Sequence, residues 1–431
     1  MKIRWPLLSL LLILALAACQ PIAPVAPGKF HVPGSTLTPA PTPTWNLEPG
    51  TLTATPTAVP QSEQQPTTLA LVNGTLIDGS GAAPVADAVV LLRGGRIVAV
   101  GTRATVVVPG DAQVIDAQGG TILPGFINAH VHGSYSEQIL AAWAQGGVTT
   151  VRDLSTSPLS SVFKYRDQVN TQPQYARLVA AGPMVTVPGG YPIAYWGMSA
   201  LTVTSPEEAR QKVTQLLDDG ADVVKIALES GAIFGQKMAM LSPEEAAAIV
   251  QVAHARGTLV SAHVSVSPDL ARALDAGVDD SAHMVTDELP AELIQRMVKA
   301  DTYWVPTLEL WMGVGLRGRV VDNLRRFVAA GGKVALGTDY QGAPNVRFDL
   351  GMPIHEMEFM QQAGMTPMQI IVAGTKNAAH VCNRECDLGT IEVGKIADVL
   401  VVPGDPLQDI HALANVGWVI HDGVVVRKVD K

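Results

Sequence analysis

Gly125-Phe126-Ile127-Asn128-Ala129-His130-Val131-His132 opens the part of the chain that decides the fold. It is a short apolar run closed by two histidines. From here to about Ala379 such runs alternate with helical stretches, the pattern of βα units around a parallel sheet. The sequence predicts strands over residues 126–131, 149–153, 176–180, 222–226, 259–263, 280–283, 303–307 and 334–337. Two of the intervening helices announce their starts, as Ser205-Pro206-Glu207-Glu208 and Ser242-Pro243-Glu244-Glu245. In each the serine can cap, proline suits the first position, and the acidic pair suits the positive end of the dipole. Eight strands in this alternation predict an α/β fold, a (β/α)8 TIM barrel over residues 125–380. Its chemistry is then expected at the C-terminal ends of the strands.

The flanks read differently. Residues 69–77, 88–92 and 97–100 are short and β-rich, with Asn73-Gly74 and Gly94-Gly95 as expected turns. Residues 398–402, 416–421 and 424–428 repeat that character at the far end. The two ends, 69–124 and 381–431, are expected to join in one small β-sandwich domain. Residues 20–66 are rich in Pro, Thr, Ala and Gln, as in Thr38-Pro39-Ala40-Pro41-Thr42-Pro43-Thr44, and predict an extended tether.

Lys2 and Arg4 precede an apolar run from Leu7 to Leu16, followed by Leu16-Ala17-Ala18-Cys19. A positive start, a short apolar stretch and small residues describe an export signal over residues 1–19. Leu-Ala-Ala-Cys also resembles the lipobox of bacterial lipoproteins. That resemblance implies lipidation at Cys19 and a protein anchored outside the cytoplasm on the cell envelope. Cys382 and Cys386 remain; export permits a disulfide, while a spacing of four on a helix would give it poor geometry, so free thiols are equally open.

The chain has 431 residues, 16% of them charged, and a formal net charge of -9 without a long basic run. That balance excludes nucleic acid as a partner, because phosphate binding needs clustered cations. With 47% of its residues apolar, the chain reads as a compact globular protein.

Residues two apart on a strand face the same side, so His130 and His132 can reach one metal ion. Lys225 lies in the apolar run Val223-Val224-Lys225-Ile226, where a bare ammonium is costly. It must pair, reach the surface, or become a neutral amine able to take up carbon dioxide as a carbamate. His263 and His283 close two successive predicted strands in matching contexts, Ser-Ala-His. Asp339 follows the last apolar run in Leu336-Gly337-Thr338-Asp339, as a ligand or as a helix cap. His254 and His355 fall in predicted helices and read as surface or packing residues. The methionines from Met352 to Met368 read as core filling. Trp196, Tyr340 and Trp311 are candidates for lining a pocket.

In order, these residues form His-x-His, Lys, His, His and Asp on predicted strands one, four, five, six and eight. The set closely resembles the binuclear amidohydrolase superfamily, within it the imidazolonepropionase-related amidohydrolases and the Xaa-Pro or Xaa-Arg dipeptidases. Supporting motifs are Leu123-Pro124-Gly125 before the His-x-His, Gly147-Val148-Thr149-Thr150-Val151-Arg152-Asp153, Thr375-Lys376-Asn377-Ala378-Ala379, and the run Gly389 to Asp398. The resemblance implies two divalent ions, zinc by default. His130, His132 and Asp339 would hold one, His263 and His283 the other, and carbamylated Lys225 would bridge them. It further implies attack by a bridging hydroxide, with Asp339 moving the proton to the leaving nitrogen. The expected substrate is a dipeptide, N-acyl amino acid or cyclic amide. A lactonase or carbamate hydrolase would use the same site, and a silent solute-binding surface lipoprotein is the rival from another class. Gly189-Gly190-Tyr191 departs from the Gly-Gly-His common in relatives, making Tyr191 a candidate substrate contact.

Overall fold

The computed structural model describes residues 67–156, 161–312, 316–341 and 348–429. The expected signal segment with Cys19, and the tether of residues 20–66, lie outside the described residues.

The N-terminal part builds β1 (Leu69–Leu76), β2 (Val85–Arg93), β3 (Arg96–Thr102), β4 (Gln113–Asp116) and β5 (Thr121–Pro124). Alternation sets their two faces. Leu69 and Leu71 join a cluster with Ile115, Ile122, Val399 and Ile420, while Ala70 and Val72 pack on the opposite side with Val89 and Leu91. Asn73-Gly74 is not the expected turn but an irregularity inside β1, where the pairing with β2 shifts register. Asn73 takes a left-handed backbone, φ 57°, which asparagine tolerates. At Gly74 a Cβ would stand 2.8 Å from the Cβ of Ala117, so no side chain fits.

Next come β6 (Phe126–Val131), β7 (Val148–Asp153) and β8 (Arg177–Ala180), hydrogen-bonded in parallel as one three-stranded sheet. They are followed by β9 (Val185–Thr186), β10 (Leu201–Thr202), β11 (Val224–Ala227), β12 (Val260–His263), β13 (Asp280–Ala282) and β14 (Tyr303–Val305). These form a six-stranded sheet in the order β10-β9-β11-β12-β13-β14. Asp222 N donates to Ala180 O at 2.9 Å, connecting β8 to the approach of β11.

The expected eighth strand, 334–337, is not a regular one. It makes a single bridge, Trp304 to Val334. The reason lies in where its backbone groups go. Ala335 N donates to Trp304 O, Leu336 O accepts from Ala129 N, and Leu336 N turns away to Ala373 O. Few residues are thus shared between three neighbours, too short a run for a ladder. Even so, these bonds carry the parallel array from β14 back to β6.

The last strands are β15 (Val399–Val402), β16 (Trp418–His421) and β17 (Val424–Lys428). β15 lies antiparallel to β5, with Leu400 opposite Leu123. The resulting eight-stranded sheet runs β17-β16-β15-β5-β1-β2-β3, with β4 also on β1. Strands from both ends therefore share one sheet. Residues Val381, Cys382 and Leu388, placed by the sequence in that domain, instead pack with Ile127, Ala129 and Val179 of the barrel strands. Cys382 is a buried free thiol, so the Cys382–Cys386 disulfide does not form. The helix Ala378–Val381 ends there, and Cys382 is turned into the core.

Both predicted helix starts form. The side chain of Ser205 accepts from Glu208 N, and Ser242 and Glu245 complete a reciprocal capping box ahead of the helix Pro243–Ala255. Deep in the barrel, fully buried Arg152 donates to both oxygens of Asp280, at 2.8 and 3.1 Å. It also donates to the carbonyls of Ala129 and Val381. A buried guanidinium is tolerable only when its donors are satisfied in this way. The pair ties β6, β7, β13 and the helix end at Val381 together beneath the strand ends.

Candidate metal centre

At those strand ends four imidazoles, a carboxylate and a lysine converge. His130 Nε2 and His132 Nε2 lie 3.1 and 3.0 Å from Asp339 Oδ1, and 3.2 Å from each other. These separations are near the ~3.3 Å edge expected between ligands bound about 2.0–2.1 Å from one tetrahedral ion. The His283 ring is centred 4.7 Å from His130, and His263 lies 4.7 Å from His283. Ligand atoms of His130, His283 and Asp339 all fall within 4.8 Å of one another. Lys225, in β11 opposite Ser261 of β12, is fully buried and feels the charges of Asp280 and Asp339.

Local structure aims each group. His132 Nδ1 meets the carbonyl of Ser155 at 3.3 Å, and His283 Nδ1 meets Thr307 Oγ1 at 2.9 Å. Each contact occupies one ring nitrogen and leaves the other for an ion. Asn128 clasps the first and last segments, donating to Thr338 Oγ1 and accepting from Thr338 N and His130 N. Gly337 permits their close approach, since a Cβ there would stand 2.4 Å from Val305 Cγ1 and 2.8 Å from His130 Cβ. His283, Thr307 and Asp339 all hold left-handed backbones, with φ of 73°, 49° and 63°. Such conformations are uncommon outside glycine and gather at functional sites.

The electrostatics match a cation. Burial pushes the Lys225 ammonium down to about 7, so a neutral amine is accessible near neutral pH. Burial also holds His130 and His283 well below the usual imidazole range, and His263 below it. For His132 burial opposes protonation, but the carboxylate of Asp339, 3.0 Å away, outweighs it and raises the value. Asp339 itself is driven well down: burial works against ionisation, and the facing imidazoles overcome it. Lys225 Nζ, His263 Nε2 and Asp339 Oδ1 are nevertheless buried without a hydrogen-bond partner. The short contacts of Oδ1 with the two imidazoles are therefore poorly angled for hydrogen bonds. Donor atoms crowded together with their lone pairs unused fit divalent ions in the role the sequence suggested.

Tyr191 lies flat against His263, with ring centroids 4.1 Å apart and planes 14° from parallel. Phe234 stacks beyond it and Tyr195 packs on Phe234, while Trp196 Nε1 donates to the Tyr191 hydroxyl. This aromatic group leads outward from the metal centre to exposed Trp196. Of the other pocket candidates, Trp311 lies 6.3 Å from His283, and Tyr340 packs against Trp143. His254 pairs with Asp279 at the surface, away from the centre. Met352, Met357, Met360 and Met365 are buried in the core, as filling.

The sequence did not single out several groups that serve the site. Buried Glu229 stands 3.5 Å from His263 Nε2, and its carboxylate accepts from Gly231 N and the hydroxyl of Ser265. Gln341 donates to Asp339 Oδ2 at 2.9 Å. Thr307 orients His283, and Phe234 extends the aromatic wall. Glu229 offered one signal, an acidic residue just past an apolar strand; the others are ordinary until the fold assembles them.

The chain matches the profile of the amidohydrolase family over residues 121–426. It is 29% identical to ochratoxinase from Aspergillus niger over 252 residues, 53% of this chain and half the length of that enzyme. It is 25% identical to imidazolonepropionase from Symbiobacterium thermophilum over 378 residues, covering 74% of this chain and 85% of the relative. A crystal structure of a Xaa-Pro dipeptidase with methionine bound in its active site superposes with a TM-score of 0.72. That likeness has 27% identity and covers 83% of this chain and 99% of that one. The architecture is that of a TIM-barrel-like α/β domain with a β-sandwich domain.

Proposed function

The chain belongs to the amidohydrolase family, and on that premise we propose that it is a metal-dependent hydrolase of amide or cyclic C–N bonds. A dipeptide, an N-acyl amino acid or a cyclic amide is the substrate class, in line with the Xaa-Pro dipeptidase and imidazolonepropionase it resembles. The observation that carries this reading is the convergence of His130, His132, His263, His283 and Asp339 beside a buried lysine amine that has no partner.

In this reading His130, His132 and Asp339 would hold one divalent ion, His263 and His283 would hold a second, and a carbamate on Lys225 would supply an anionic ligand between those two groups of donors. Zinc suits the imidazole and carboxylate donors. When bound, the ions supply an acidified water and polarise the scissile carbonyl. The remaining steps fall to side chains. Asp339, its Oδ2 held by Gln341, takes the proton of the attacking water and returns it to the leaving nitrogen. Thr307 and Ser155 keep the His283 and His132 rings in register. Tyr191 shields one face of His263 from solvent and borders the path by which substrate arrives.

Metal analysis of the purified protein, with assays on dipeptides, N-acyl amino acids, cyclic amides and lactones, tests this directly. The expected result is about two ions per chain, with turnover lost after chelator dialysis and regained on adding zinc or manganese. Undiminished amide hydrolysis by metal-stripped protein would end the reading. We further propose that the enzyme works outside the cytoplasm, held by lipid at Cys19, on the strength of the Leu-Ala-Ala-Cys stretch. Cells fed radiolabelled palmitate should label the native protein and not Cys19→Ser; equal labelling of both would refute the anchor.

A further inference from the structure

A second group of ligand-bearing side chains lies beyond the metal centre. The short helix Leu308–Met312 follows Thr307 and carries Glu309, whose side chain is 2% exposed. Both of its carboxylate oxygens are buried without a hydrogen-bond partner. Asp349 and His355 face it, and one ligand atom from each of the three lies within 4.8 Å of the others. His355 Nδ1 is 3.0 Å from Asp349 Oδ1 and 3.8 Å from Glu309 Oε1. Behind them Glu356 is fully buried, its carboxylate accepting from the backbone N–H groups of Leu308 and Glu309 at 2.9 and 2.8 Å.

Three carboxylates thus crowd one corner, and among the described residues His355 is the basic side chain that meets them. Negative charge this dense and this dry must be neutralised by protons or by a cation. Burial, then the charges of Glu356 and Asp349, push Glu309 up to about 9, and burial pushes Glu356 up to about 8. Two features favour the cation. A protonated Glu309 would need an acceptor for its O–H, and neither oxygen has one. Asp349 and His355 are partly exposed, which gives an ion a route in while Glu309 closes the inner side.

We propose that Glu309, Asp349 and His355 form a further divalent cation site, separate from the catalytic pair and suited to a hard ion such as Ca2+ or Mn2+. Two carboxylates supply the oxygen ligands that such ions prefer, and the imidazole and water complete the shell. The ion fastens the segment after β14, whose Thr307 orients His283, to the segment of residues 349–356.

The test uses full-length protein with its zinc sites already filled. Ca2+, Mn2+ and Tb3+ are titrated into it, read by calorimetry and by terbium emission sensitised through nearby Trp311. The expected result is one saturable site beyond the zinc, with terbium displaced by Ca2+ or Mn2+ and which of the two displaces it better naming the preferred ion. Affinity should fall at least about tenfold in Glu309→Gln and in Asp349→Asn, with zinc content unchanged. Glu309→Gln keeps the side-chain shape and removes a buried charge; should it not fold, His355→Ala at an exposed position carries the same measurement. Zinc-loaded protein that takes up none of the three ions, or binding that survives these substitutions intact, overturns the proposal.

Discussion

Replacing Lys225 with alanine is expected to lower kcat/KM on the order of a thousandfold, and acetate or propionate should restore part of it. The magnitude follows from what the lysine would provide. Its nitrogen is buried in β11 with no partner, and burial brings its pKa to about 7, so the amine is free to be carboxylated near neutral pH. As a carbamate it would place a negative charge among ions otherwise balanced by a single carboxylate. Without it two divalent ions would repel across a poorly screened space. Alanine leaves a cavity the length of the lost side chain, and a small carboxylic acid can occupy it with its charge in the same place. Steady-state kinetics with and without added acetate, paired with metal analysis of the variant, checks the claim. Full turnover by Lys225→Ala in acetate-free buffer would show that the lysine is structural.

Asp339→Asn should lower kcat by about 10²–10⁴ while leaving the protein folded. Asparagine is the informative substitution because residue 339 has φ 63°, a conformation that Asn and Asp tolerate and alanine resists. The amide keeps the volume and can still contact Gln341, but it can neither accept the proton of the attacking water nor return one. A pH profile of kcat separates this role from simple metal loss, which stoichiometry would reveal. If the variant turns over within about tenfold of the native enzyme with its metal intact, the proton travels by another route, and Glu229 beside His263 becomes the group to examine.

Much of this site was legible before the fold was known, and the reasons are local. His130 and His132 share a strand face because strands alternate. His263 and His283 stand out because the same Ser-Ala-His closes two consecutive βα units. Ser205 and Ser242 mark helix starts because a cap is a matter of a few adjacent residues, and both caps form. What was hidden depends on distant segments meeting. Gln341 has meaning only against Asp339, and Thr307 only against His283, one strand away. The eighth barrel segment was expected as a strand from its apolar residues, yet its hydrogen bonds are split among three neighbours. Asn73-Gly74 carries turn chemistry, but β1 uses that chemistry to absorb an irregularity within the strand rather than to reverse direction. Nothing near Tyr191 in sequence said that its ring would lie against His263, two predicted barrel strands further along the chain.

The left-handed backbones at His283 and Asp339 bear on anyone who would retune this protein for a different ion. A cysteine or glutamate placed at either position must adopt a geometry that most side chains resist, so the protein would relax the loop and scatter the remaining donors. His263 ends a regular strand, β12, and carries no such restriction. Exchange of donor chemistry is therefore easier at strand positions such as His130, Lys225 and His263, while at two positions the polypeptide itself has limited the choice to a few residues.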